Sequence, residues 1–195
     1  MKEWRRSRPL FLLAGLLFGF KTYIVYRFLF DIHIDTLLQE IILFINPFFT
    51  SIIFFSLSIW LQQKEHQKRF ILYSALFGSL IIYFNLIFYR SFTDFLTIPQ
   101  LFQMSNLSDL SSSILSLIKW YDWLLFVDVF FIWTYCKHFD LTNYSRRRKM
   151  IISVMSLLLL STNFFLAEME RPQLLQRAFD REYLVKNIGI FYYHI

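Results

Sequence analysis

Cysteine is almost absent from this 195-residue chain: Cys136 stands alone. A single thiol excludes an intrachain disulfide and a thiolate metal site. His33, His66, His138 and His194 fall in four separate segments, and no two share the spacing of metal ligands on one helix face. No metal site is therefore expected within the chain. Charge is scarce as well, at 17% of residues, and the net charge of +6 is spread through short connectors rather than gathered on one face. That distribution argues against nucleic acid and suits topogenic charge. The basic start at Lys2, Arg5, Arg6 and Arg8 resembles a signal peptide, but no small-x-small cleavage site comes after it and the apolar run continues through Phe30. An uncleaved first span is expected. No internal repeat is visible.

What the chain has is apolar length. It is 56% hydrophobic and 21% aromatic, with 25 phenylalanines. The apolar residues gather into windows of about twenty, enough to cross roughly 30 Å of hydrocarbon as a helix. The expected fold is all-α: a polytopic membrane protein with five transmembrane helices at about 9–30, 41–61, 70–89, 119–135 and 150–166. The five spans form one bundle over 1–167, with 168–195 as an extracellular helical linker. Pro47 predicts a kink in the second span.

Lysine and arginine counts orient the bundle. Lys64, Lys68 and Arg69, then Lys137, Arg146, Arg147, Arg148 and Lys149, share a side with the basic N-terminus; the opposite connectors hold only Arg90 and Lys119. The rich side is cytoplasmic by the positive-inside rule, which places the C-terminus outside. Trp120, Tyr121 and Trp123 suit an aromatic belt. Within the outer connector 90–118, Thr97 and Gln100 match a capping box. Leu107, Leu110, Ile114 and Leu117 recur at helical spacing, so short interfacial helices are expected there.

Charges inside a span are costly and turn toward the bundle interior. Counting about 1.5 Å per residue from the span ends puts Lys21 and Asp128 at the same level, roughly 18 Å from the cytoplasmic face. Asn46, Asn85 and Asn163 fall at roughly 20–22 Å by the same count. These five residues predict one polar layer, with Lys21 paired to Asp128 and the asparagines completing the pair's hydrogen bonds. A second cluster, Arg27, Arg90 and Asp94 with Tyr23, Tyr26 and Tyr89, is expected at headgroup depth, where arginine can grip phosphate or simply snorkel. Lys21, Arg27, Arg90, Asp94 and Arg171 are thus the candidates for lipid headgroup contact.

The last polar stretch, 171–189, mixes Arg171, Arg177, Arg181 and Lys186 with Asp180 and Glu182. It reads as a water-exposed amphipathic segment, with Pro172 at a first helical position, Asp180 able to cap a second turn and Gly189 as a stop. Arg177, Asp180, Arg181 and Lys186 are its candidates for docking to a following domain. The chain then runs to Ile195 on Phe191, Tyr192, Tyr193 and His194, an ending that suggests a continuation.

Several of these stretches resemble one family in order: Lys21-Thr22-Tyr23; Leu43-Phe44-Ile45-Asn46-Pro47; Tyr89-Arg90-Ser91-Phe92-Thr93-Asp94-Phe95-Leu96-Thr97; Lys119-Trp120-Tyr121-Asp122; Val127-Asp128; Ala167-Glu168; and 171–189. The chain is similar to the lipoteichoic acid synthases and primases of Gram-positive bacteria. It departs from the family's pattern at Gln173, Gln176, Ala178, Glu182 and Asn187. The resemblance implies a five-span domain followed by an extracellular α/β domain of sulfatase type, with a threonine nucleophile and Mn²⁺ or Mg²⁺. That domain would move glycerol phosphate from phosphatidylglycerol to a glycolipid-anchored chain in the cell membrane. No catalytic residue or cofactor is assigned within these 195 residues. Partners implied are phosphatidylglycerol, the glycolipid anchor, the chain's own catalytic domain and other cell-envelope membrane proteins, with no nucleic acid. Two other readings are the anchor of a phosphoethanolamine transferase, against which 171–189 argues, and a standalone transport or sensor bundle.

Overall fold

Hydrocarbon offers the backbone no hydrogen-bond partner, so a chain this apolar satisfies its amides within helices. A computed structural model describes residues 9–30, 32–97, 116–139, 141–172 and 181–191, and among these it is helical with no β-strand. Helix α1, Leu10–Ile24, runs on into a π turn at Val25–Leu29, which closes with Phe30 N–H on the Val25 carbonyl at 3.0 Å. Helix α2, Leu37–Ser56, starts from Thr36, whose Oγ1 accepts Gln39 N–H at 3.2 Å. The Gln39 side chain in turn accepts Asp35 N–H at 2.9 Å, which ties the connector to the helix start. Helix α2 continues through Pro47 and ends in a 3₁₀ stretch, Leu57–Trp60.

Helix α3, Lys64–Phe92, ends at Thr93, which takes a left-handed φ of 51° and donates its N–H to the Tyr89 carbonyl at 2.8 Å. A 3₁₀ stretch, Trp120–Phe126, leads into α4, Val127–His138. Ser145 caps α5, Arg146–Glu170. The last helix is α6, Arg181–Ile188, and Gly189 stops it at φ 85°.

Four of the described helical segments are long and apolar enough to cross a membrane: Leu10–Leu29, Leu37–Trp60, Lys64–Phe92 and Arg146–Glu170. The fifth span expected at 119–135, a 3₁₀ stretch joined to a 12-residue helix, is not among them. Two carboxylates, Asp122 and Asp128, lower its apolarity and hold local backbone amides. The capping box at Thr97 and Gln100 and the leucine-faced helix expected over 107–117 fall mostly outside the described residues.

The closest helix pair is α1 on α2, and glycine makes it possible. A Cβ on Gly15 would lie 3.1 Å from Ile52 Cα, and one on Gly19 would lie 2.9 Å from Phe48 Cα. Backbones approach that nearly only where side chains are missing, the small-xxx-small geometry of membrane helices. The other flank of α2 packs against α5, while α4 sits against α1 and α3. Tyr26, Phe30, Leu43, Phe55, Ile82, Leu86, Phe95 and Ile132 fill the centre. Helix α5 is peripheral, with only 17% of its apolar window buried. Its exposed Val154, Leu157, Leu158 and Phe165 suit a lipid-facing side.

Helix α6 is not the water-exposed segment its composition suggests. Val185, Lys186, Asn187 and Ile188 are buried, and the chain after it dips into the bundle. Ile190 is fully buried with its N–H on Tyr26 Oη at 2.7 Å, and the Phe191 ring lies 5.7 Å from that of Phe18.

Gly19→Leu should force α1 away from α2 and cost about 1–3 kcal/mol, the usual range for overpacking. Leu16→Ala, on the exposed face of the same helix, should change stability by no more than about 0.5 kcal/mol. Unfolding of the two variants in mixed micelles would check both; equal effects would mean that the glycine contact does not hold the pair.

Candidate functional site

Lys21 is carried into the bundle by α1 and is only 9% exposed. Its ammonium lies 2.8 and 2.7 Å from the two carboxylate oxygens of Asp128. It also donates to Ser79 Oγ at 2.6 Å and to the Leu125 carbonyl at 3.1 Å, and sits 4.2 Å from the centre of the Phe18 ring. Three ammonium hydrogens meet a carboxylate, a hydroxyl and a carbonyl, so the charge is desolvated but fully bonded. The broken helix explains how. Because α4 begins only at Val127, Asp128 stands in its first turn, beside the positive end of the helix dipole. The Leu125 carbonyl, in the 3₁₀ stretch, turns to Lys21.

The asparagines do not complete this pair, which corrects the expected single layer. Asn46 Nδ2 donates to Asn163 Oδ1 and to the Asn187 carbonyl, each at 3.3 Å, forming a separate cluster between α2, α5 and α6. Thr50 Oγ1 donates to Asn46 Oδ1 at 3.4 Å. Asn85 belongs to neither group. Its Nδ2 bonds the Ile81 carbonyl at 2.9 Å and its Oδ1 accepts Leu96 N–H at 3.1 Å, fixing the turn after α3. Ser79 takes the place expected of the asparagines. Level along the membrane normal puts residues at one height but not on facing sides.

The expected cluster of Arg27, Arg90 and Asp94 is likewise divided. Arg90 makes a fork of two 2.7 Å bonds to the carboxylate of Asp122 and donates to the Leu117 carbonyl at 2.9 Å. The same carboxylate accepts Lys119 N–H at 2.9 Å, so it ties α3 to the start of the 3₁₀ stretch. Asp94 pairs with Arg181 of α6. Arg27 is exposed and has no ion-pair partner among the described residues. Asp122, which sequence reasoning left unassigned, is thus the anion that engages Arg90.

Helix α6 is fastened to the bundle by its charged residues. Lys186 Nζ donates to the His33 carbonyl at 3.1 Å and to Asp35 at 3.2 Å. Glu182 accepts His33 N–H at 3.2 Å, and Thr36 Oγ1 donates to Glu170 of α5 at 3.1 Å. The hydrogen bond from Lys186 holds the Asp35 carboxyl below the usual carboxylate range. Arg171 lies with its guanidinium 4.6 Å from the centre of the Tyr183 ring, and Lys186 lies 4.1 Å from the same ring. Arg171 Nε is buried without a hydrogen-bond partner among the described residues. Gly189 closes the arrangement: a Cβ there would collide with Asn46 Oδ1, and its φ of 85° already disfavours other residues. Arg177 and Asp180 lie outside the described residues.

Chemically, these groups can hold and orient. Among the described residues no three His, Cys, Asp or Glu side chains gather where a metal could bind. The divalent ion implied by the resemblance therefore has no ligand set among the described residues. Gly15 and Gly19, spaced by four, were a legible signal for helix packing; Ser79 carried none.

Asp128→Asn should leave Lys21 without its counter-charge and cost about 3–5 kcal/mol, as breaking a buried pair does. Joint replacement by Lys21→Met and Asp128→Leu should recover much of that loss. Unfolding in mixed micelles checks both, and single variants as stable as the parent would show the pair to be idle. For α6, Gly189→Ala should loosen the helix, raising amide exchange over 181–191 several-fold. Because the Asp35 carboxyl is depressed, its contact stabilises docking above the ordinary carboxylate value and is lost on acidification. Protection of the 181–191 amides, corrected for the intrinsic pH dependence of exchange, should be high near neutrality and fall below about pH 4. A pH-independent profile would remove Asp35 from the latch.

The family profile described as Lipoteichoic acid synthase N-terminal domain matches residues 1–195. The chain is 39% identical over 189 residues to the lipoteichoic acid synthase-like YvgJ of Bacillus subtilis (strain 168), covering 95% of this chain and 30% of that protein. It is 35% identical over 200 residues to lipoteichoic acid synthase 2 of the same strain, covering 100% of this chain and 31% of that protein. It is 32% identical over 184 residues to the lipoteichoic acid synthase of Staphylococcus aureus (strain USA300), covering 92% and 28%. No solved structure matches. The chain thus spans about 30% of the length of the curated relatives it matches. With its apolar helices and a match running from first residue to last, it belongs to the lipoteichoic acid synthase N-terminal domain family.

Proposed function

We propose that this chain is the membrane anchor of a lipoteichoic acid synthase-type glycerolphosphate transferase, and that it positions lipid substrate for an adjoining extracellular domain. Phosphatidylglycerol is the donor in this reading and a glycolipid-anchored chain is the acceptor. The N-terminus is cytoplasmic, α6 lies on the outer side, and Mn²⁺ or Mg²⁺ belongs to the adjoining domain. The chain's own catalytic domain and other cell-envelope membrane proteins are its proposed protein partners.

The fastening of α6 is the observation that carries the reading. A plain tether needs no fixed geometry, because linkage alone raises local concentration. Here Arg181 is held by Asp94, Lys186 by Asp35, and Gly189 is packed on Asn46. A domain joined beyond α6 would then leave the bundle in a set direction, at a set height above the lipid.

Of the candidates for headgroup contact, Lys21 and Arg90 direct their donors to protein carboxylates, and Asp94 is engaged by Arg181. Arg27 and Arg171 are the cations whose side chains have no carboxylate partner among the described residues. They suit a phosphodiester at the membrane surface, where a charged hydrogen bond contributes about 1.5–3 kcal/mol.

Arg171→Ala in the whole protein should weaken phosphatidylglycerol binding about tenfold, corresponding to the lower end of that range. Arg146→Ala, at the opposite end of α5, should leave it unchanged. Binding read by native mass spectrometry distinguishes these outcomes. Unchanged binding with both Arg27→Ala and Arg171→Ala would reduce the domain to an anchor.

A further inference from the structure

The bundle leaves a cleft between α2 and α3 whose wall the polar clusters touch only at Thr50. Helix α2 packs along α1 and α5, whereas α3 is held by α4 and α1, so a gap opens between the last turns of α2 and the middle of α3. The space between them is a cavity of about 380 Å³. Phe54 and Leu57 line it from α2, Phe77 and Ile81 from α3, Phe18 from α1, and Phe191 from the segment after α6. At one end the 3₁₀ stretch Leu57–Trp60 packs onto α3 and closes the gap.

Three observations decide what could fill it. The rim residues Phe54, Leu57 and Phe77 are 45%, 53% and 64% exposed on helices of spanning length, so the mouth faces the hydrocarbon. The lining is almost wholly apolar and holds no charged side chain. Two of its hydroxyls are turned back onto α2, Ser51 to the Pro47 carbonyl at 2.5 Å and Thr50 to Asn46 Oδ1 at 3.4 Å. The third, on Ser74, is the single lining hydroxyl left for a polar headgroup, too little to replace the water its phosphate would lose there. A helix from a second protein does not fit either, since one turn of a cylinder 10–12 Å across fills about 500 Å³. The volume does lie within the ~300–1,000 Å³ of ligand pockets.

We infer that this cleft holds an acyl chain of a bilayer phospholipid, with Phe191 touching the chain from the segment after α6. The inference rests on the lipid-positioning reading and deepens it. A bound acyl chain would contact the same short segment that Tyr26 and Asn46 hold in the bundle, so lipid and linker share a wall.

The test uses the whole protein in phospholipid vesicles doped with phosphatidylglycerol that carries a diazirine midway along one acyl chain. After irradiation, peptides over 50–57 and 74–81 should be labelled several-fold more than the outward face of α5 at Leu157 and Leu158. The excess should be competed by unlabelled phosphatidylglycerol. Ser74→Trp, which fills the cleft, should lower labelling of Ile81 several-fold, whereas Ser74→Ala should not. Labelling no greater than at the α5 face overturns the inference in the wild-type protein alone, whatever the stability of the variants. Unchanged labelling of a well-folded Ser74→Trp protein overturns it too. Equal labelling by diazirine-acyl phosphatidylcholine upholds the acyl-chain site and counts instead against selection of the donor by this domain. An unlabelled cleft in a protein that still loses phosphatidylglycerol on Arg171→Ala removes the cleft and leaves lipid positioning standing.

Discussion

An ammonium at the depth of Lys21 has no water to fall back on, and most of the bundle's irregularity answers that one demand. Asp128 has to face α1, and it does so from the first turn of α4 rather than from mid-helix. For α4 to begin there, the preceding residues must wind as a 3₁₀ stretch, which turns the Leu125 carbonyl toward the ammonium. Ser79 then sets the face of α3 that meets the pair. A straight apolar helix over 119–135 would have satisfied its own carbonyls and left Lys21 one acceptor short. The broken segment is therefore the form that the ion pair requires.

The expected polar layer shows what a sequence can convey about such a bundle. Rise per residue converts position into depth, and depth sufficed to bring Lys21 and Asp128 to one level. It says nothing about azimuth. Asn85 stands near the height of Asn46 and Asn163 but faces the turn at Leu96, because the packing of α3 against α4 rotates it there. Hydrophobic windows located the long helices to within several residues, but they were blind to the join at Phe126. The spacing of Gly15 and Gly19 was readable as a packing face, and only the facing backbone of α2 shows which helix it serves.

Helix α6 misled for a different reason. Arg181, Glu182 and Lys186 give it the composition of a solvated helix, yet each finds a partner on a distant connector: Asp94, His33 and Asp35. Charge predicts exposure only when its partners are unknown. Once they are in place, the same residues act as fasteners, and the apolar positions between them, Val185 and Ile188, turn inward. Gly189 permits the last step, since no side chain could stand between α6 and Asn46. The lipid cleft was not visible at all in the sequence, because it is a property of where α2 and α3 fail to meet.

The separation of Lys21 from Asp128, 107 residues along the chain, also bears on how the protein is made. At ~5–20 residues per second, about 5 to 20 seconds pass between synthesis of the lysine and synthesis of its carboxylate. For that interval the first helix carries an unmatched charge. It must wait near the insertion machinery, sit shallow with the lysine reaching for the surface, or borrow a carbonyl from a neighbour. Final depth for α1 is therefore a late event in assembly, set by a helix that does not yet exist when α1 enters the bilayer.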